Sequence, residues 1–141
     1  MKYKHIYLIA LVFMFFTGCS TSQKLKDFSG NKIIFGSYGG FTGVSDEYVL
    51  HYNGRIEKIN GLTRESDYAL KIADQKAKKI FLQFLSNGLD TLEYSSPGNI
   101  SYFVGYKNDS ITKKIVWGGE GSAPEKARQT YTNLVQLIKN K

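Results

Sequence analysis

Apolar positions follow three rhythms along the chain: an unbroken run near the amino terminus, alternation at every second residue through the middle, and helical spacing in two later stretches. Lys32 to Tyr38 is rich in β formers and bounded by Gly30-Asn31 and Gly39-Gly40, which predicts a strand. In the turn Gly39-Gly40-Phe41-Thr42-Gly43, three glycines are free to take positive φ, with Phe41 at the tip. Val44 to Tyr52 alternates, with Val44, Tyr48, Leu50 and Tyr52 on one side and Ser45, Glu47 and His51 on the other. Asn53-Gly54 is a strong hairpin signal that returns the chain through Arg55 to Ile59 and completes a three-strand meander.

Leu62 to Ala73 carries both rhythms. Tyr68, Leu70 and Ile72 alternate as in a strand, Leu70, Ala73 and Ala77 are spaced as in a helix, and strand is the preferred reading. From Asp74, an expected N-cap, the stripe Ala77, Ile80, Phe81, Phe84, Leu85 predicts a helix that Asn87-Gly88 stops. Ser95 to Asn99 reads as a turn, after which Ile100–Lys107 and Ser110–Trp117 flank Asn108-Asp109 as a second hairpin. A two-residue loop there pairs Tyr106 with Ile111, Val104 with Lys113, Tyr102 with Ile115 and Ile100 with Trp117. One side is then apolar, and Phe103, Gly105, Thr112 and Lys114 face the other way. Pro124 is placed at a first helical position, and Ala127, Tyr131, Leu134 and Ile138 predict a second helix ending near Lys139. Strand pairs joined by short turns, with two amphipathic helices, give an α+β fold: an antiparallel sheet built from hairpins, with both helices on one face.

The unbroken run is Ile6 to Phe16, preceded by Lys2 and Lys4 and followed by Thr17-Gly18-Cys19. It is shorter than the ~18 or more apolar residues of a membrane span. The stretch resembles the signal peptide of bacterial lipoproteins, with Phe16 where Leu is usual. That resemblance implies cleavage before Cys19 and acylation of its thiol and its new amino group. Two or three acyl chains hold a protein to a membrane stably, since each buried CH₂ contributes about 0.8 kcal/mol. Residues 1–18 are therefore expected as signal, 19–29 as an acylated cysteine with a polar tether, and 30–141 as one domain. Ser20 follows the cysteine, and no acidic pair lies just beyond it. By resemblance to lipoprotein sorting this implies the outer membrane, facing the periplasm. The covalent lipid on Cys19 is the only cofactor expected.

Without its first 18 residues the 141-residue chain is 123 long, enough for one core. Removing Lys2 and Lys4 from the 19 Lys and Arg leaves 17 against 12 Asp and Glu, a net charge of +5. The lysines are spread out and form no nucleic-acid motif, so no nucleic-acid partner is expected. A solvated basic surface facing anionic lipid or polymer fits better. With its one Cys committed to lipid, the chain has no thiol for a disulfide, a nucleophile or a zinc site.

Candidate chemistry is sparse. His51 is the only histidine beyond the signal, with no serine, acid or second histidine spaced to build a triad or zinc site. Asp46 and Glu47 are adjacent in a strand and point to opposite faces. Asp90 and Glu93 lack the calcium-loop pattern. The Gly36–Gly40 stretch lacks the Gly-Lys-Ser/Thr ending of a phosphate loop, and Gly118–Ser122 carries Glu120, which repels phosphate. No catalytic residue, metal ligand or enzyme activity is expected. Tyr38, Tyr48, Tyr52, Tyr68, Tyr94, Tyr102, Tyr106 and Tyr131 are more tyrosine than a small core needs, so some are expected on an interaction surface.

A strand, the turn Gly39-Gly40-Phe41-Thr42-Gly43, then a strand, a helix, a hairpin and a C-terminal helix resemble the emfourin family of small bacterial inhibitors of thermolysin-like metalloproteases. The likeness runs loosely from Lys32 to Lys139, and neither the Asn53-Gly54 hairpin nor the anchor belongs to that family. It implies that Gly39, Gly40, Phe41, Thr42 and Gly43 are presented to a protease. The chain also resembles uncharacterised lipoproteins of Bacteroidetes-type bacteria, which implies no activity. The expected function is thus a lipid-anchored envelope protein with a non-enzymatic binding domain, whose partner is an envelope protein, in the sharp form a metalloprotease. The alternative is an accessory or assembly lipoprotein that binds through a tyrosine-rich sheet face. Phe41 either anchors that partner or folds back into the core.

Overall fold

The computed structural model describes residues 30–41, 43, 45–119 and 123–140. Cys19, the signal and tether of residues 1–29, and Thr42 lie outside the described residues. The elements are β1 (Lys32–Gly39), β2 (Asp46–His51), β3 (Arg55–Asn60), β4 (Ser66–Lys71), α1 (Asp74–Ser86), β5 (Ser95–Ser96), β6 (Ile100–Lys107), β7 (Thr112–Gly118) and α2 (Glu125–Lys139). The described strands form one sheet in the order β4-β3-β2-β1-β6-β7-β5. The class is α+β, and the sheet is mixed rather than antiparallel throughout. Ser95–Ser96, expected inside a turn, runs parallel to β7, and Val116 N–H donates to the Tyr94 carbonyl at 2.9 Å to hold it there.

The β1–β2–β3 meander forms as expected. Its second turn is a three-residue loop in which Gly54 N–H donates to the His51 carbonyl at 2.9 Å and Gly54 takes φ +85°. Glycine is needed there twice over, because a Cβ would also stand 2.3 Å from the Ile72 carbonyl oxygen. The ambiguous segment resolves as a strand, β4, paired with β3 across an irregularity at Ile56/Glu57.

The β6–β7 hairpin is shifted by two residues from the expected register: Tyr106 faces Lys113, Val104 faces Ile115 and Tyr102 faces Trp117. The Asn108 side chain is the reason. Its Oδ1 accepts from Ser110 N at 2.9 Å and from Ile111 N at 2.7 Å, which closes a four-residue loop in place of two. A shift of two preserves side-chain parity, so the expected apolar side survives.

Both helices begin one residue away from the sequence expectation. Ala73 is the N-cap of α1 and Asp74 its first helical residue, 3.3 Å from Lys71 Nζ. Pro124 is the N-cap of α2, where its carbonyl accepts from Ala127 and Arg128.

Alternation divides the buried residues in two. The larger cluster joins Ile33, Phe35, Leu50, Ile56, Val104, Ile115 and Trp117 of the sheet with Ala77, Phe81 and Phe84 of α1 and Ala127 and Leu134 of α2. Each such large side chain contributes about 1.5–3 kcal/mol on burial. Ile34, Val49, Phe103 and Val116, which alternate with these, form a smaller cluster. Lys114 covers part of it, with Nζ 4.3 Å from the centre of the Phe103 ring and 3.5 Å from Glu47 Oε2.

Candidate functional site

Three loops meet at the end of the sheet where β1 finishes. Gly39 and Gly40 take φ of +103° and +77°, and Gly40 N–H donates to the Asn99 carbonyl at 2.8 Å. A Cβ on Gly39 would stand 2.4 Å from that same oxygen, so the loop after β1 packs against the loop before β6 only because residue 39 is glycine. That second loop is fixed in turn by Ser101, a buried polar residue whose hydroxyl accepts from Gly98 N and donates to the Gly98 carbonyl, both at 3.1 Å. Gly43 (φ +62°) donates to the Gly40 carbonyl at 3.2 Å and has open space around it. Phe41, between them, is fully exposed at 108 %. It does not fold back into the core.

The β3–β4 turn closes the group, with Gly61 packed against Ser45. Asn60 Oδ1 accepts from Leu62 N at 2.9 Å and from Thr63 N at 3.1 Å, and Arg64 N–H donates to the Asn60 carbonyl at 2.9 Å. The turn is thus built by its own side chains, yet it holds Leu62 93 % exposed. Arg64 takes φ +62°, the one non-glycine with positive φ among the described residues. A side chain in that region costs about 1–3 kcal/mol. Its guanidinium reaches Glu47 at 3.6 Å, and Glu47 also holds Lys114. Beside Phe41 and Leu62 at this end, Ile100 is 47 % and Tyr38 39 % exposed. The arrangement can bury apolar side chains against a partner on a backbone fixed in advance, which lowers the ordering cost of binding.

Sequence reasoning found Phe41 and its glycines and missed Leu62 and Ile100. The signal for Leu62 was a lone Leu in a turn rich in Gly, Thr, Arg and Glu. Ile100 needed the β1–β6 pairing that sets it opposite Gly39. The tyrosines turn mostly inward: Tyr48, Tyr52, Tyr94, Tyr102, Tyr106 and Tyr131 pack against the larger cluster. Tyr131 meets Trp117 edge-on at 5.5 Å and Tyr102 at 5.6 Å, and burial pushes its hydroxyl up to about 12. Burial also raises the Tyr106 hydroxyl, and a hydrogen bond to Asp46 raises the Lys58 ammonium.

His51 has gained acid and base neighbours that its sequence position did not show. Glu57 Oε2 lies 3.1 Å from His51 Nε2, without the alignment of a hydrogen bond, and Glu57 Oε1 lies 2.9 Å from Arg55. The signal was the hairpin itself, which sets alternate residues of β2 and β3 on one face. Asp46 and Glu47 serve separate partners, Asp46 pairing with Lys58 at 2.9 Å. No group of three or more His, Cys, Asp or Glu gathers to hold a metal among the described residues. A cleft of about 620 Å³ between α1 and α2 is lined by Lys76, Ile80, Phe84, Asn133, Leu134 and Asn140, among others. No known protein family and no characterised protein matches the sequence of this chain.

Proposed function

We propose that this chain is a lipid-anchored, non-enzymatic binding protein of the cell envelope, which engages a protein partner through Gly39, Gly40, Phe41, Thr42 and Gly43, with Leu62 and Ile100 beside them. Lipid on Cys19 holds it to the outer membrane on the periplasmic side. In the domain it tethers, both helices cover one face of the sheet, a reading supported by the single cluster that takes buried residues from α1 and α2. The observation that carries the binding function is the full exposure of Phe41 on a loop whose backbone is tied to Asn99. A large aromatic offered to water on an ordered backbone adds nothing to the fold, whereas a partner that covers it gains its burial. The resemblance to emfourins makes the sharp form inhibition of a thermolysin-like metalloprotease, with Phe41 offered to the enzyme. An accessory role through a tyrosine-rich face has less support, since six tyrosines pack on the core.

Capture of partners from envelope extracts by the wild-type chain and by Phe41→Ala tests the reading, with thermal unfolding run on both. The expected result is a metalloprotease captured by the wild type and lost by a variant of unchanged stability. Equal capture by both chains rejects the loop as the recognition site.

A further inference from the structure

At the end of the sheet opposite Phe41, the strand register sets basic residues side by side across five strands. Lys107 faces Lys32, Lys32 faces His51, and Arg55 faces Lys71. Arg55 and His51 flank the β2–β3 turn and share Glu57. The row thus reads Lys71, Arg55, His51, Lys32, Lys107. Like charges directly opposite on neighbouring strands are destabilising, and only part of this row is neutralised: Glu57 serves Arg55 and Asp74 serves Lys71. Lys32 and Lys107 have no ion-pair partner among the described residues. The only acid in the neighbouring β6–β7 turn is Asp109, whose carboxylate lies beside Gly30. Ile111, 48 % exposed, adds an apolar side chain to the same turn.

The chain enters the sheet at this end, since Lys32 opens β1 and Gly30 sits against the β6–β7 turn. Cys19 precedes Asn31 by 12 positions, a leash of at most ~40 Å when fully extended. The unpaired cations therefore lie at the end of the sheet nearest the leash, within reach of a membrane that holds a lipid on Cys19. We infer that this basic end docks on an anionic lipid surface, with Lys32 and Lys107 against the headgroups and Arg55 and Lys71 flanking them. Headgroup phosphates relieve the repulsion stored in the row, and Ile111 enters the interfacial layer. β1 is eight residues long, about 25 Å, so docking at this end turns the Phe41 end away from the membrane. The inference rests on the lipid-anchor reading for its reach and on the register for its chemistry.

Acetylation of lysines by a water-soluble reagent, read by mass spectrometry on the full chain, tests it. The chain is placed on vesicles of phosphatidylcholine alone or with an equal part of phosphatidylglycerol. The expected result is a several-fold slower modification of Lys32 and Lys107, and a smaller slowing of Lys71, on the anionic vesicles, lost in high salt, with Lys126 and Lys139 of α2 unchanged. Equal rates on the two vesicles overturn the inference, as does matching protection by free inorganic phosphate, which would mark a simple anion site. In Lys32→Gln/Lys107→Gln, verified as folded by circular dichroism, Lys71 should lose its protection; retained protection overturns the assignment to the row. The mass of the amino-terminal peptide reports acylation separately. An unlipidated chain that still shows the Lys32 and Lys107 footprint overturns the anchor and supports the row.

Discussion

At the Phe41 end of the sheet Arg64 has Glu47 in reach and Lys58 has Asp46, while at the opposite end Lys32 and Lys107 face each other with no acid paired to either among the described residues. The Phe41 end leaves apolar side chains uncovered instead, on a backbone held by Asn60, Ser101 and Gly39. Each end leaves one thing for a partner to supply, cover for apolar side chains at the first and counter-charge at the second. The two differ in how they respond to solvent, because interaction between exposed charges is screened by salt and burial of Phe41 against a partner is not. The difference offers a way to perturb one end and leave the other alone.

The largest expected effect falls between the ends and removes both. Ile115→Asp puts an unpartnered charge into the larger cluster opposite Val104 and should cost about 4 kcal/mol or more, measured by denaturant unfolding. Lys114→Asp, one residue away, faces Glu47 and uncovers Phe103, and should cost about 1 kcal/mol. Comparable losses from the two would show that the apolar side of β7 is misassigned.

At the Phe41 end, Gly39→Val must hold φ near +103° and meet the Asn99 carbonyl, for an expected loss of about 3 kcal/mol. Gly43→Ala has φ of +62° but open space, and should cost about 1 kcal/mol. Equal melting points for the two would mean that the contact with Asn99 does not fix the loop. Phe41→Ala should weaken partner binding by about 2 kcal/mol, roughly 30-fold, and leave the melting point of the free chain unchanged.

How far these features could be read from the sequence depends on the range of the contacts that make them. Asn53-Gly54 marks its own hairpin, and the parity of Tyr102, Val104, Ile115 and Trp117 is local to one strand pair, so both were legible. The register was not, because it depends on which backbone amides the Asn108 side chain captures. β5 escaped because two serines carry no periodicity. The glycines around Phe41 were visible, but Leu62 and Ile100 join them only through pairings that the chain order does not state. The basic row was the least legible feature, since its members come from five strands and Lys107 reaches Lys32 only because β6 lies beside β1.

Alkaline pH should weaken the Phe41 end first. Tyr131 packs on Tyr102 and Trp117, and burial raises its hydroxyl from 10.0 to about 12 in the folded chain. Between those values the unfolded chain has lost the proton and the folded chain keeps it, so the unfolded state binds fewer protons. Stability from this group is therefore complete below pH 10 and falls as pH rises toward about 12. Trp117, the only tryptophan, reports the change by fluorescence during denaturant unfolding. Tyr131→Phe should flatten the pH dependence across that window, and a variant with the same slope as wild type would assign the slope to another group.

The smallest expected effect has the opposite sign and concerns the basic end alone. Lys32→Gln removes one member of the Lys32/Lys107 pair and breaks no ion pair of the described residues, so it should stabilise the free chain in the absence of lipid. Cross-strand charge pairs contribute about 0.2–1 kcal/mol, and relief of a repulsive one should be of that size. The gain should shrink as salt rises, because the Debye length falls from ~10 Å at 0.1 M to ~3 Å at 1 M. Lys126→Gln, on the exposed side of α2, should show neither the gain nor the salt dependence. Paired melts of these two variants at low and high salt make the measurement. A Lys32→Gln chain less stable than wild type at both salts would mean that the lysine stem is needed for packing at the start of β1, and that no repulsion is stored there for a headgroup to relieve.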